Sequence, residues 1–216
     1  MTRDANVSVR TRFERFPATL KGAFILRGED PDPHQVILRR AAIVALDGSG
    51  EHQVTVPDAI LDIAPHRDVF VPFEVGVSEL DPGWYRLAGE LEVDGRPDRF
   101  EGDRRFVVPW PRATLRRGPI RVEQTAAVGD VKVRIAQLEC GGDSMKLQLE
   151  VDPPTEVSIS LSADRDAIPV LEVELDPQSG RGRVLAYPLL RTYASLHVEI
   201  GGPGRGETGV VDIPLP

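Results

Sequence analysis

The chain has 216 residues, 41% of them hydrophobic and only 6% aromatic, with a formal charge of -8. That composition excludes wholesale disorder, allows one large or two ordinary domains, and leaves most of the core to Val, Leu and Ile. The negative balance disfavours a general nucleic-acid binder, which needs a basic face.

Helical periodicity is nearly absent. Nineteen Pro and 20 Gly punctuate the chain at short intervals, which leaves little room for long helices. Alternating or β-branched runs lie between the breaks. In the first half they predict strands at 6–13, 18–27, 35–46, 52–56, 68–76, 84–93 and 104–110. The span 57–65, "PDAILDIAP", reads as a short helical turn or an irregular crossing.

The stretch Leu80-Asp81-Pro82-Gly83-Trp84-Tyr85-Arg86-Leu87 has a definite turn chemistry. Pro82 suits the second position of a tight turn, and Gly83 can take the positive φ of the third. The pattern L-x-P-G-x-Y-x-L resembles that of immunoglobulin-like and related β-sandwich domains. The resemblance covers eight residues and implies a fold only. It predicts a tyrosine corner, with the Tyr85 ring at the core edge and its hydroxyl bonded back to the main chain. Tyr85, Leu87, Gly89, Leu91 and Val93 then face inward, and Trp84, Arg86, Ala88, Glu90, Glu92 and Asp94 face outward. Asp94-Gly95 reads as the tip of a type I′ hairpin.

The second half repeats the scheme, with strands predicted at 119–126, 131–139, 145–151, 156–163, 168–175, 182–190, 194–200 and 208–215. "WYRLAGELEVDG" and "TYASLHVEIGG" both run from a Tyr through an alternating strand to a Gly turn. Each is followed by a strand ending near "VVPWP" or "VVDIPLP". The expectation is an all-β protein of two tandem immunoglobulin-like β-sandwich domains, residues 1–111 and 112–216. Pro109-Trp110-Pro111 makes the connector short and stiff, because proline fixes its own φ and restrains its neighbour.

Motifs that carry chemistry are sparse. Gly204-Arg205-Gly206-Glu207-Thr208-Gly209 matches G-x-G-x-x-G, but a strand rather than a helix follows it, so a hairpin loop is the better reading. Glu29-Asp30-Pro31-Asp32-Pro33-His34 gathers carboxylates without the Gly offset of a calcium loop and reads as a solvated loop. His34, His52, His66 and His197 lack zinc spacing. Cys140, beside Glu139, reads as a spare thiol, and as the only cysteine it can form no internal disulfide. Glu172, Glu174 and Asp176 share one strand face and read as the wet side of an edge strand. No catalytic residue, cofactor or metal is expected, and the chain is read as not an enzyme. With no apolar segment after the charges of "MTRDANVSVRTRF" and no run of membrane-spanning length, the expected setting is cytoplasmic, without a membrane.

The distinctive charge feature is local. Lys+Arg total 26, of which three are Lys, leaving 23 Arg. Between Asp103 and Glu123 stand Arg104, Arg105, Arg112, Arg116, Arg117 and Arg121 with no acid, and Trp110 among them. The bland reading pairs these guanidiniums with surrounding acids. The functional reading makes them an anionic contact, for an acidic partner surface, a phosphate-bearing ligand or, last, nucleic acid, with the outward Trp84 as a partner anchor. The sequence therefore points to a non-catalytic adaptor or scaffold that engages partners through strand edges and this Arg/Trp stripe. The alternatives are a self-assembling structural subunit, or a ligand-binding protein or enzyme with an interdomain site.

Overall fold

The alternation of the sequence becomes strands throughout. The computed structural model describes residues 7–16, 18–204 and 206–216. By its contacts the chain divides into Met1–Val108 and Pro109–Pro216, just before the expected boundary at Pro111.

The first unit contains β1 (Val7–Arg15), β2 (Thr19–Gly28), β3 (His34–Ala45), β4 (Glu51–Val54), β5 (Ile60–Ile63), β6 (Asp68–Gly76), β7 (Gly83–Val93) and β8 (Arg96–Val108). One sheet has the order β1-β2-β6 and the other β4-β3-β7-β8, with β5 also pairing β3. The pairings between strands are antiparallel, and Gly28 and Pro65 form an isolated parallel bridge. Phe24, fully buried, packs against Phe73 and Phe100 at centroid distances of 4.8 and 5.5 Å.

The second unit opens with a 3-10 turn, Arg112–Thr114. It continues through β9 (Gly118–Val128), β10 (Val131–Cys140), β11 (Met145–Asp152), β12 (Ser158–Ala163), β13 (Asp166–Ile168), β14 (Val170–Leu175), β15 (Arg181–Ala186), β16 (Ser195–Gly201) and β17 (Thr208–Pro214). Its sheets are β14-β15-β11-β10-β9 and β13-β12-β16-β17. Aliphatic residues such as Leu138, Leu147, Leu189 and Val198 fill the core.

The two orders correspond strand for strand. β1-β2-β6 matches β10-β11-β15, and β4-β3-β7-β8 matches β13-β12-β16-β17. The second unit adds β14 outside β15, the placement of the fourth strand in a constant-type immunoglobulin sheet. It also adds β9 outside β10. Both units are therefore all-β immunoglobulin-like sandwiches.

The tyrosine corner is present in the first unit. The Tyr85 hydroxyl donates to the Asp81 carbonyl at 2.8 Å, and the ring is buried. Tyr85, Leu87, Leu91 and Val93 are buried, while Trp84, Arg86, Ala88, Glu90 and Glu92 are only half-buried. At the hairpin tip Asp94 and Gly95 have φ of 50° and 76°. Val93 pairs with Arg96, so this is the two-residue turn that Asp-Gly favours.

Some strand predictions need correction. Residues 60–63 form β5 rather than a helical turn, because Ile63 alternates into the core while Ile60 faces solvent. β8 starts at Arg96, not 104. The tight tip at Asp94-Gly95 forces pairing at once, and the Pro97, Asp98, Arg99 and Glu101 that disguise the strand lie on a sheet edge, where such residues are tolerated. The predicted strand 168–175 is two strands in different sheets, β13 and β14. They are separated by Pro169, which cannot donate to a ladder. The predicted strand 182–190 ends at Ala186.

Candidate functional site

Many guanidiniums among the described residues lie against carboxylates. On the first unit Arg39 lies 2.7 Å from Glu92 and Arg99 3.4 Å from Glu90, and Arg40 pairs with Glu51. Across the five-stranded sheet Arg134 bonds Glu123 and lies 3.2 Å from Glu150, which also meets Arg181 at 3.2 Å. Arg183 meets Glu174 at 2.6 Å. The hydrogen bond from Arg134 holds the Glu123 carboxyl below its ordinary value, and those from Arg181 and Arg134 do the same for Glu150. These are the cross-strand charge ladders that keep a sheet face wet.

The arginines singled out from the sequence fall into different situations. Arg104 and Arg105 belong to the first unit. The Arg104 guanidinium lies 5.4 Å from the centroid of the Phe13 ring, a cation–π distance. Arg105 stands opposite Arg86 in the β7–β8 register. In the second unit Arg121 is 85% exposed and 3.6 Å from Glu123. Arg112 is exposed on the 3-10 turn. Trp84 faces outward and is half-buried opposite Val107. Trp110 packs edge-on against Tyr187 at 5.3 Å, and Tyr187 is buried.

The segment after Trp110 is fastened to the crossing between β15 and β16. Arg116 N–H donates to the Leu189 carbonyl at 2.9 Å, and Arg191 N–H donates to the Thr114 carbonyl at 2.8 Å. Leu115, between them, is 1% exposed and bridges to Leu190. Burying Leu115 therefore fixes the directions of Arg116 and Arg191.

Side-chain bonds complete the arrangement. Arg116 Nη2 donates to the carbonyls of Tyr193 at 2.9 Å and Arg191 at 3.4 Å, and Nη1 donates to the Pro216 carbonyl. Arg191 Nε donates to the Leu115 carbonyl at 2.9 Å. Arg117 Nη2 lies alongside Gly142 in the β10–β11 turn, 3.4 Å from where a Cβ would stand. Arg116, Arg117, Arg191 and Pro216 line one shallow depression of about 380 Å³. Among the described residues no carboxylate side chain forms an ion pair with any of these three guanidiniums. Sequence reasoning missed Arg191. It stands 75 residues from Arg116, with no local motif to mark it.

The other candidates resolve into structural roles. His34, 7% exposed, lies 2.7 Å from Asp94 through Nδ1 and 2.7 Å from Asp30 through Nε2. Hydrogen bonding to Asp94, then to Asp30, raises its pKa. The bond from His34, then the Gln35 N–H, lowers that of Asp94. The carboxylate loop thus closes on an imidazole. Among the described residues no group of three or more His, Cys, Asp or Glu is placed to hold a metal ion. Cys140 is buried, and burial raises its thiol pKa. Glu172 and Glu174 lie on β14 at the edge of its sheet.

In the loop between β16 and β17, Gly202 N–H donates to Glu207 O at 3.0 Å, and β17 follows. Arg205 of that motif lies outside the described residues. Ser162, His197 and Asp212 stand in one cross-strand row, with His197 Nδ1 2.7 Å from Asp212. The imidazole is 44% exposed on an open sheet face. Activating a serine requires a base within hydrogen-bond reach and preorganised donors for the oxyanion. Ser162 makes no hydrogen bond to His197 among the described residues, so this row is a surface His–Asp hydrogen bond beside a serine.

No family model matches the chain, and no curated protein does. Among solved structures it is similar to a conserved domain protein from Bacillus anthracis, 13% identical over 100% of this chain and 89% of that one, with a TM-score of 0.33. Two chains described as marsupial T cell receptor are each 11% identical. One covers 98% of this chain and 62% of its own, with a TM-score of 0.30. The other covers 99% and 98%, with a TM-score of 0.28. At such scores the fold assignment rests on this chain's own strand order and tyrosine corner. No helix among the described residues is long and apolar enough to cross a membrane.

Proposed function

We propose that this chain is a non-catalytic adaptor or scaffold that binds an acidic protein partner through the Arg-rich end of its second unit. The supporting observation is the contrast in pairing. Arg134, Arg181 and Arg183 on the sheet of the second unit are neutralised by carboxylates, whereas Arg116, Arg117 and Arg191 share a depression and are bonded, where bonded at all, to main-chain carbonyls. A partner's carboxylates complete such a surface, giving specificity and rapid association. A cytoplasmic setting belongs to the same proposal. The test is capture of a partner by immobilised protein, repeated after charge reversal at Arg116 and Arg117. Loss of the captured band supports the reading; unchanged capture removes it.

A second reading, a self-assembling structural subunit, draws on the exposed apolar residues of the first unit. Phe70 on the edge strand β6 is 58% exposed, and Ile60 on β5 is 63% exposed. Concentration-dependent light scattering that Phe70→Ser abolishes would favour it over the adaptor.

A further inference from the structure

We infer that the depression lined by Arg116, Arg117, Arg191 and Pro216 is a receptor for adjacent carboxylates of a short acidic peptide segment. The inference rests on the adaptor reading and names what the partner must present. It starts from the division of labour among the three guanidiniums. Arg116 is spent internally: both its Nη groups donate to carbonyls, at Pro216, Arg191 and Tyr193. Its Nε is buried without an acceptor. It contributes fixed positive charge rather than free donors.

Arg191 and Arg117 contribute the donors. Arg191 is exposed and tethered through Nε to the Leu115 carbonyl, and its two Nη groups make no hydrogen bond among the described residues. Arg117 has no hydrogen-bond or ion-pair partner among the described residues, and its Nη2 lies beside Gly142. A guanidinium presents its N–H groups as a planar fork that matches a carboxylate. Two such forks beside a third fixed charge suit two neighbouring Asp or Glu side chains.

Charge balance favours the same occupant. Like charges gathered in one depression repel. Were the Pro216 group to carry a full negative charge, the three guanidiniums lining the depression would still outnumber it. An extended polyanion such as nucleic acid would gain at this end and be repelled by a chain whose charge is -8. A short acidic segment takes the local attraction and avoids the long-range penalty.

The test is fluorescence anisotropy with a labelled hexaglutamate peptide at low salt, on the full chain, with circular dichroism checking the fold of each variant. Binding should weaken about tenfold or more for Arg117→Glu and for Arg191→Glu, and less than about threefold for Arg112→Glu, which lies outside the depression. Arg191→Lys keeps the charge and loses the fork, so it should fall between wild type and Arg191→Glu. No binding by wild type, or binding indifferent to Arg117→Glu and Arg191→Glu, overturns the inference. So does full displacement of the peptide by sulfate at matched charge concentration, because the ligand would then be an isolated oxyanion. If hexaglutamate fails while partner capture remains sensitive to charge reversal at Arg116 and Arg117, the adaptor reading stands and this receptor for adjacent carboxylates does not. If capture ignores every reversal, the adaptor reading itself fails.

Discussion

The two units run one strand path and fasten it differently. In the first, the chain after β4 stays beside β3 as β5; in the second, Pro169 releases the corresponding segment to the other sheet as β14. The first carries a tyrosine corner, whereas Tyr193 of the second stands half-buried just before β16, its hydroxyl pKa raised by burial and by the neighbouring Asp166. The first has an aromatic cluster around Phe24, and the second relies on aliphatic packing. Strand order is evidently specified by alternation and turn chemistry, which both units share. The fasteners are free to differ, and the second unit has used its β15–β16 crossing to hold arginines.

Each unit contains one tryptophan, Trp84 in the first and Trp110 in the second. Single-Trp variants therefore report the units separately. The largest effect expected is from Phe24→Ala, which empties the centre of the aromatic cluster. It should cost about 3–5 kcal/mol, seen as an earlier transition at Trp84, with a smaller shift at Trp110. Equal shifts at both reporters would break the division into two cores.

Replacing His34 by Ala comes next, at about 1.5–3 kcal/mol for losing hydrogen bonds between charged groups in a buried setting. The pH dependence has a definite sign. His34 is raised above its ordinary 6.5, so its contribution is full below 6.5 and disappears as pH rises through its folded value. Asp94 is lowered from 3.8, so its contribution is present above 3.8 and disappears as pH falls through its folded value. The Trp84-reported midpoint should fall on going from pH 6 to pH 9, and His34→Ala should flatten that fall. A profile that His34→Ala leaves unchanged would show that the clamp does not titrate as described.

Smaller effects sharpen the comparison. Tyr85→Phe removes the bond to Asp81 and should cost about 1 kcal/mol, measured by urea unfolding at Trp84. Tyr193→Phe should cost less, because that ring is half-buried and makes no corner. Equality would make the corner irrelevant. Smallest is Arg134→Ala in the exposed charge ladder, whose melting midpoint should match wild type within error at moderate salt, as exposed pairs contribute little.

The sequence exposed the sandwiches because Pro, Gly and alternation are local signals. The Asp94-Gly95 tip and the inward set Tyr85, Leu87, Leu91 and Val93 follow from a few residues each. β5 was obscured by its flanking prolines, Pro57 and Pro65, and the first half of β8 by charges allowed at an edge. The Arg stripe was legible as composition but not as geometry. Arg104 and Arg105 belong to one unit and Arg112, Arg116, Arg117 and Arg121 to the other. Arg191 could not be found, since only the burial of Leu115 against Leu190 brings it to Arg116.

That binding follows guanidiniums without carboxylate partners is tested most directly by nuclear magnetic resonance. Isotope-labelled protein would be titrated with unlabelled hexaglutamate and the backbone amide shifts followed. Perturbations should concentrate at Arg117, Gly118, Gly142 and Arg191, and leave the ladder of Arg134, Glu150 and Arg181 still. Shifts centred on that ladder, or no shifts at saturating peptide, would contradict the account.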